Sequence, residues 1–148
     1  MEIKKVNLDD LDEIMKMEKE TFKSDSFSKE TMKQLILQNT LFLKLIKKQD
    51  KQKILGFIII IQDDLDRMNI INFLINKKNQ NKGYGSYLLT KTLEIVKKVS
   101  GIKKIVLNVK TKNRAAIKLY EEFNFRIIRK IENYYRNQEN AYLMELNL

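Results

Sequence analysis

The sequence predicts a mixed α/β fold of seven strands and four helices, filling residues 1–148 as a single domain. Three observations predict it. Apolar residues switch between period two and period 3.6 along the chain, so strands and helices are interspersed. The segments run strand, two helices, three strands, helix, strand, helix, two strands, which is not regular βαβ alternation. No linker, repeat or low-complexity tract interrupts the 148 residues, an ordinary length for one domain.

Residues 2–7 suit a short first strand. Residues 8–20 read as a helix: Leu8, Leu11, Ile14, Met15 and Glu18 fall near helical spacing, and Asp9, Asp10 and Asp12 sit early, where the helix dipole favours anions. Ser28 can cap a second helix running to about Asn39 and burying Met32, Leu35 and Ile36. Residues 41–48 and 53–62 read as strands joined by the polar turn 49–52, and the β-branched run Ile58–Ile61 suits a sheet interior. A strand over 67–76 follows. The polar loop 77–82 then leads through Gly83-Tyr84-Gly85 into a helix ending near Lys98, with Leu88, Leu89, Leu93 and Val96 inward. Gly101 marks a turn. Residues 103–110 alternate as a strand, with Ile105, Leu107 and Val109 on one face and Val106 and Asn108 on the other. A helix over 113–123 aligns Ala116, Leu119, Tyr120 and Phe123 in one stripe. Strands over 125–135 and 139–147 close the chain.

Composition narrows the chemistry. An apolar fraction of 43% is enough for a sizeable core. With no Cys there are no disulfides, thiol nucleophiles or thiolate zinc sites, and with no His there is no Ser-His or Cys-His catalysis. What remains is chemistry by carboxylates, tyrosine, lysine, backbone amides, water or a bound cofactor, with no metal expected. The net charge of +10 would attract nucleic acid, yet lysine supplies 24 of the 29 basic residues, where recognition surfaces favour arginine. Ile, Lys and Asn together make up 57 residues, all with A/T-rich codons, so coding bias competes with function as the source of the charge. Nucleic acid is therefore a disfavoured partner that the charge does not exclude. No segment approaches the roughly 18 apolar residues of a membrane span, and the start Met-Glu-Ile-Lys-Lys lacks the apolar centre of a signal peptide. A soluble, cytoplasmic protein without a membrane partner is expected.

The loop Gln80-Asn81-Lys82-Gly83-Tyr84-Gly85 lies between a strand and a helix. Glycines allow close approach of a ligand, and a helix N-terminus offers unpaired N–H groups with a positive dipole end. Lys77, Lys78 and Lys82 add attraction for phosphates. An ordinary strand-to-helix turn on a lysine-rich surface would look much the same. The loop is neither a Walker loop nor a dinucleotide-binding fingerprint.

Gln80-x-x-Gly83-x-Gly85 resembles the Q/R-x-x-G-x-G/A loop of the GNAT acetyltransferases. Downstream, Asn113 through Phe125 resembles that family's N-x-x-A-x-x-L-Y-x-x-x-G-F, with Asn124 where glycine is usual. Asparagine also tolerates the left-handed conformation of a helix C-cap. Further pieces resemble the ribosomal-protein-alanine N-acetyltransferases: Glu18, Phe22, Phe27 and Ser28 near the start, Asn72 in the strand, and Asn133-Tyr134-Tyr135 with Ala141 to Met144 near the end. The resemblance implies the GNAT fold: a mixed, mostly antiparallel sheet of about seven strands with one splayed parallel pair, here 67–76 and 103–110, and about four helices.

It also implies roles. Acetyl-CoA is the co-substrate. Backbone groups of Phe73, Leu74 and Ile75 pair with its pantetheine. Main-chain amides of Asn81, Lys82, Gly83, Tyr84, Gly85 and Ser86 take its pyrophosphate, and Asn113 contacts it from the helix over 113–123. Tyr120 stands at the general-acid position, where its hydroxyl protonates the departing thiolate; on its residues alone, on an apolar stripe, it reads first as a core side chain. The family's glutamate base falls at position 108, where this chain has Asn108, which cannot take a proton but can orient a water or bond the substrate. Glu18, Tyr134 and Tyr135 are candidates for an acceptor groove, and equally for packing or surface. The implied activity is acetyl transfer by direct attack in a ternary complex, most simply to a protein or peptide N-terminus such as that of a ribosomal protein. A small-amine or lysine acetyltransferase is the alternative enzyme. A non-catalytic acyl-CoA-binding protein on ribosome or RNA is the alternative outside enzymes.

Overall fold

The computed structural model describes residues 1–38 and 40–148. Its strands are β1 (Glu2–Lys5), β2 (Leu41–Lys47), β3 (Asp50–Asp64), β4 (Arg67–Ile75), β5 (Lys104–Lys110), β6 (Arg126–Ile131) and β7 (Ala141–Asn147). Its helices are α1 (Leu11–Phe22), α2 (Lys29–Leu37), α3 (Tyr84–Lys97) and α4 (Arg114–Glu122). The strands form one sheet in the order β1-β2-β3-β4-β5-β7-β6. β4 and β5 are parallel, while the pairs β1–β2, β2–β3, β5–β7 and β6–β7 are antiparallel. This is the mixed α/β architecture expected from the segment order. The chain divides into two compact units, Met1–Ile60 with Asn72–Lys98, and Ile61–Ile71 with Val99–Leu148.

The first unit holds β1, β2, α1, α2, α3 and most of β3. β2 is buried from Phe42 to Ile46 and β3 from Ile54 to Ile60, the long buried runs of strands covered on both faces, with Lys44 the one charged residue among them. Asn7 opens the first helical segment with a capping box, reciprocated by Asp10. Asp10 also takes Lys44 Nζ at 2.8 and 2.9 Å, which satisfies an ammonium buried within β2. Ser28 caps α2 by accepting from Thr31 N–H at 3.1 Å, as its position predicts. That helix ends at Leu37, and the expected end at Asn39 lies outside the described residues. α3 buries Leu88, Leu89, Leu93 and Val96, the inward residues read from its periodicity.

Gly56 is the tight point of this unit. A methyl group at its Cα would lie 2.5 Å from the Leu74 carbonyl oxygen and 2.5 Å from Ile75 Cδ1. The carbonyl is backbone and cannot step aside as a side-chain tip can. Gly56→Ala is therefore expected to cost about 1–3 kcal/mol, the usual penalty of an overpacked core. Urea unfolding measures it, and an unchanged midpoint would mean that β4 shifts freely.

The second unit holds β5, β6, β7 and α4. β5 places Ile105, Leu107 and Val109 in the core on one face, and Val106 is buried on the other. Gly101 turns into it at φ +84°. Three expectations need correction. The hairpin turn between β2 and β3 is Lys48-Gln49, so residues 50–52 belong to β3, whose first residue pairs with Lys47. The strand expected over 125–135 ends at Ile131, because Asn133 at φ +54° leaves extended backbone, and the next strand begins at Ala141 rather than 139. On α4 only Tyr120 is fully buried; Ala116, Leu119 and Phe123 are half-buried.

Candidate active site

In the first unit, the end of β4 leads into the glycine loop. Asn76 N–H donates to the Leu55 carbonyl at 2.8 Å, and Gln80 Nε2 reaches back to the Ile75 carbonyl at 3.1 Å. Gln80 thus fixes the strand end that precedes the loop, a role its place in the motif did not reveal. Of the three β4 residues singled out, Leu74 and Ile75 are buried and Phe73 is half-buried. Asn81 and Gly83 both take left-handed backbone, at φ +62° and +81°. Gly83 is the N-cap of α3 and offers no side-chain acceptor to the first N–H groups. α2 and α4, by contrast, are capped by Ser28 and Asn113. An added Cβ on Gly83 meets no atom within 4 Å, so open space lies beside the helix start. Uncapped amides, a positive helix end and that space suit the pyrophosphate of acetyl-CoA.

In the second unit, the C-terminus of α4 sets Tyr120. Phe125 N–H donates to the Tyr120 carbonyl and Asn124 N–H to the Glu121 carbonyl, at 3.0 and 2.9 Å. Asn124 is left-handed at φ +71°. Together these form a Schellman turn, with asparagine serving in place of glycine. The turn brings Phe125 back against Tyr120, with ring centroids 5.6 Å apart. Burial raises the Tyr120 phenol well above the ordinary tyrosine value, and neighbouring Tyr135 adds to the effect. A phenol so placed keeps its proton at any working pH.

Asn108 on β5 donates through Nδ2 to the Tyr134 hydroxyl at 3.1 Å. Its Oδ1 is buried with no hydrogen-bond partner among the described residues. An acceptor with nothing to accept is ready for a water or an amine. Tyr134 stacks edge-on against Tyr135 at 4.9 Å, in the segment between β6 and β7. That segment carries its aromatic pair in a turn, so Tyr134 meets β5 from outside the ladder. Asn113 uses its side-chain oxygen to cap α4 at Ala116 N–H, 3.2 Å away. Glu18, in the first unit, is buried and bonded to Asn72, so it is a packed residue rather than a groove surface. Among the described residues no group of three or more acidic side chains could hold a metal ion. No helix there is long and apolar enough to cross a membrane.

Comparison with known proteins places these features. A Sulfolobus acidocaldarius N-alpha-acetyltransferase is 33% identical over 76 residues, 51% of this chain and 45% of that protein. The chain thus spans about half the length of the archaeal relatives it matches. A Haemophilus ducreyi protein named as a ribosomal protein bS18-alanine N-acetyltransferase is 32% identical over 107 residues, 70% of this chain and 72% of that protein. The crystal structure of the Escherichia coli ribosomal-protein-S18-alanine N-acetyltransferase superposes with a TM-score of 0.85 at 26% identity, covering 99% of this chain and 92% of that one. The acetyltransferase (GNAT) family model matches residues 8–125, a span that takes in the glycine loop, Asn108 and Tyr120. The chain belongs to the GNAT acetyltransferase family.

Proposed function

We propose that the protein transfers the acetyl group of acetyl-CoA to an amine, namely the α-amine of a protein N-terminus, in the cytoplasm. The observation that carries this reading is the start of α3: a left-handed glycine with open space beside it and no side-chain cap, inside the family-matched span. The acceptor class is supported by the relatives, whose names specify N-terminal or ribosomal-protein N-acetylation.

Acetyl-CoA supplies the acetyl thioester. The amides of Asn81 to Ser86 hold its pyrophosphate, and the backbone of Phe73 to Ile75 pairs with its pantetheine. The amine attacks the thioester directly, consistent with a chain that has no Cys or His to carry the acetyl group. Holding the two reactants together supplies several kcal/mol of the barrier without a base. Tyr120 gives its proton to the departing thiolate; burial keeps that proton on the phenol until the step and makes it a weaker acid than an ordinary tyrosine. Asn108 Oδ1 accepts from the amine, or from a water that removes the amine's proton.

The test is acetyl-CoA turnover over a panel of N-terminal peptides, lysine peptides, polyamines and amino acids. Peptides with free α-amines should be the best acceptors. No turnover with any amine, despite tight acetyl-CoA binding, would favour a non-catalytic binding protein instead. Gly83→Val should weaken acetyl-CoA binding at least tenfold with the fold retained. At φ +81° a β-branched residue is strained, and its side chain would enter the space assigned to phosphate. Calorimetry on the folded variant measures this, and unchanged affinity would remove the phosphate cradle.

A further inference from the structure

Glu18 and Asn72 take no part in the chemistry above, yet both are polar and buried. Asn72 interrupts an apolar row on one face of β4, where Met68, Ile70 and Leu74 share its spacing of two and are also buried. Its Nδ2 donates to Glu18 Oε1 at 2.6 Å. The other carboxylate oxygen accepts from Phe27 N–H at 2.8 Å, and Ser26 Oγ donates to the Glu18 carbonyl at 3.2 Å. Asn72 Oδ1 is buried with no hydrogen-bond partner among the described residues. This is a poor way to gain stability. Burial raises the Glu18 carboxyl above its usual range against the opposing pull of its two donors, and the orphaned oxygen adds its own desolvation cost. Apolar side chains at both positions would fill the same space at less expense.

The pair's place in β4 gives it a use. The register of β4 with β5 ends at Ile70↔Leu107, and the boundary between the two compact units passes between Ile71 and Asn72. Asn72 is the first β4 residue of the first unit, and Phe73, Leu74 and Ile75 follow it. We infer that Glu18 and Asn72 are positioning residues whose hydrogen bond tethers β4 to α1 where its pairing with β5 ends, holding the Phe73–Ile75 backbone for acetyl-CoA. This rests on the proposed function, and it joins two sequence features 54 residues apart that the proposed chemistry leaves unused.

The test compares Asn72→Leu with Glu18→Gln. Asn72→Leu removes the tether while filling the row. It should lower the melting temperature, because the Glu18 carboxylate stays buried with one donor fewer, weaken acetyl-CoA binding of the folded protein about tenfold, and leave kcat at saturating acetyl-CoA unchanged. Glu18→Gln should bind nearly as wild type, because the new amide can accept from Phe27 N–H and donate to a flipped Asn72. A merely structural pair would show the same loss of stability with normal affinity in the folded fraction. If Asn72→Leu folds poorly, Asn72→Ala removes the same bond with less bulk. Hydrogen exchange of the free protein reads the tether without acetyl-CoA. Amides 73–76 should exchange faster once it is cut. A folded variant with wild-type affinity overturns the inference. If wild-type protein does not bind acetyl-CoA at all, the proposed function falls, and unchanged exchange over 73–76 would then overturn the tether as well.

Discussion

Tyr120→Phe is expected to lower kcat by about 10²–10⁴-fold, the usual contribution of a positioned general acid. The change removes one hydroxyl and keeps the ring. The ring contact with Phe125 at 5.6 Å survives, and so do the backbone bonds of the Schellman turn, none of which involves the side chain. The packing of the ring and the turn should therefore be retained, and calorimetry reads the acetyl-CoA affinity separately. The raised pKa sets the pH behaviour. A phenol held well above its ordinary value stays protonated across the working range, so in wild type it adds no alkaline limb near neutrality. The thiolate that leaves in Tyr120→Phe must take its proton from water instead. Steady-state kinetics paired with calorimetry separate the two effects. Wild-type kcat in the variant would make Tyr120 a core residue and nothing more.

Much of this arrangement was legible because local chemistry decided it. Ser28 caps a helix wherever an apolar period begins behind it. Asn124 was readable as a left-handed cap because few residues tolerate that conformation, and the same cap aims Phe125 at Tyr120. Gly83 was readable as a point of close approach for a ligand, but its left-handed backbone was not. Features decided by tertiary packing were not legible. Phe125, Ile127, Ile131 and Tyr135 continue an alternation that reads as one long strand, yet positive φ at Asn133 and Gln138 turns the chain and delivers Tyr134 to Asn108. Glu18 reads as part of a helix face and Asn72 as a strand residue. Nothing local announces that a buried carboxylate on α1 reaches β4. Gln80 belonged to a recognised motif, but its bond to the Ile75 carbonyl depends on how the loop folds back.

Asn108 leads to the other large effect, on acceptor choice and pH. Without a carboxylate there, the amine must arrive neutral or lose its proton through water. An α-amine with pKa about 7.7–8.0 is roughly a tenth neutral at pH 7, whereas a lysine side chain near 10.4 is neutral only about 0.04% of the time. On this term alone an N-terminal amine should outperform lysine by a few hundred-fold. kcat/KM should rise with pH and level off near the acceptor's own pKa. Asn108→Glu tests the cause. In wild type the Tyr134 hydroxyl accepts from Asn108 Nδ2 at 3.1 Å. A glutamate reverses that bond, because the hydroxyl then donates to the carboxylate and holds it as a base. Its ordinary pKa lies near 4.3; the partial burial of this position raises it and the donated hydrogen bond lowers it. The carboxylate is thus ionised throughout the range where the amine titrates, and it can take the proton of an ammonium that water removes only slowly. The rise in kcat/KM should shift to lower pH, and the gap between α-amine and lysine acceptors should narrow. The measurement is the pH–rate profile of both proteins on peptides whose terminal amines differ in pKa. A wild-type midpoint that ignores the acceptor's pKa would place a base elsewhere on the enzyme and end the water-relay account of Asn108.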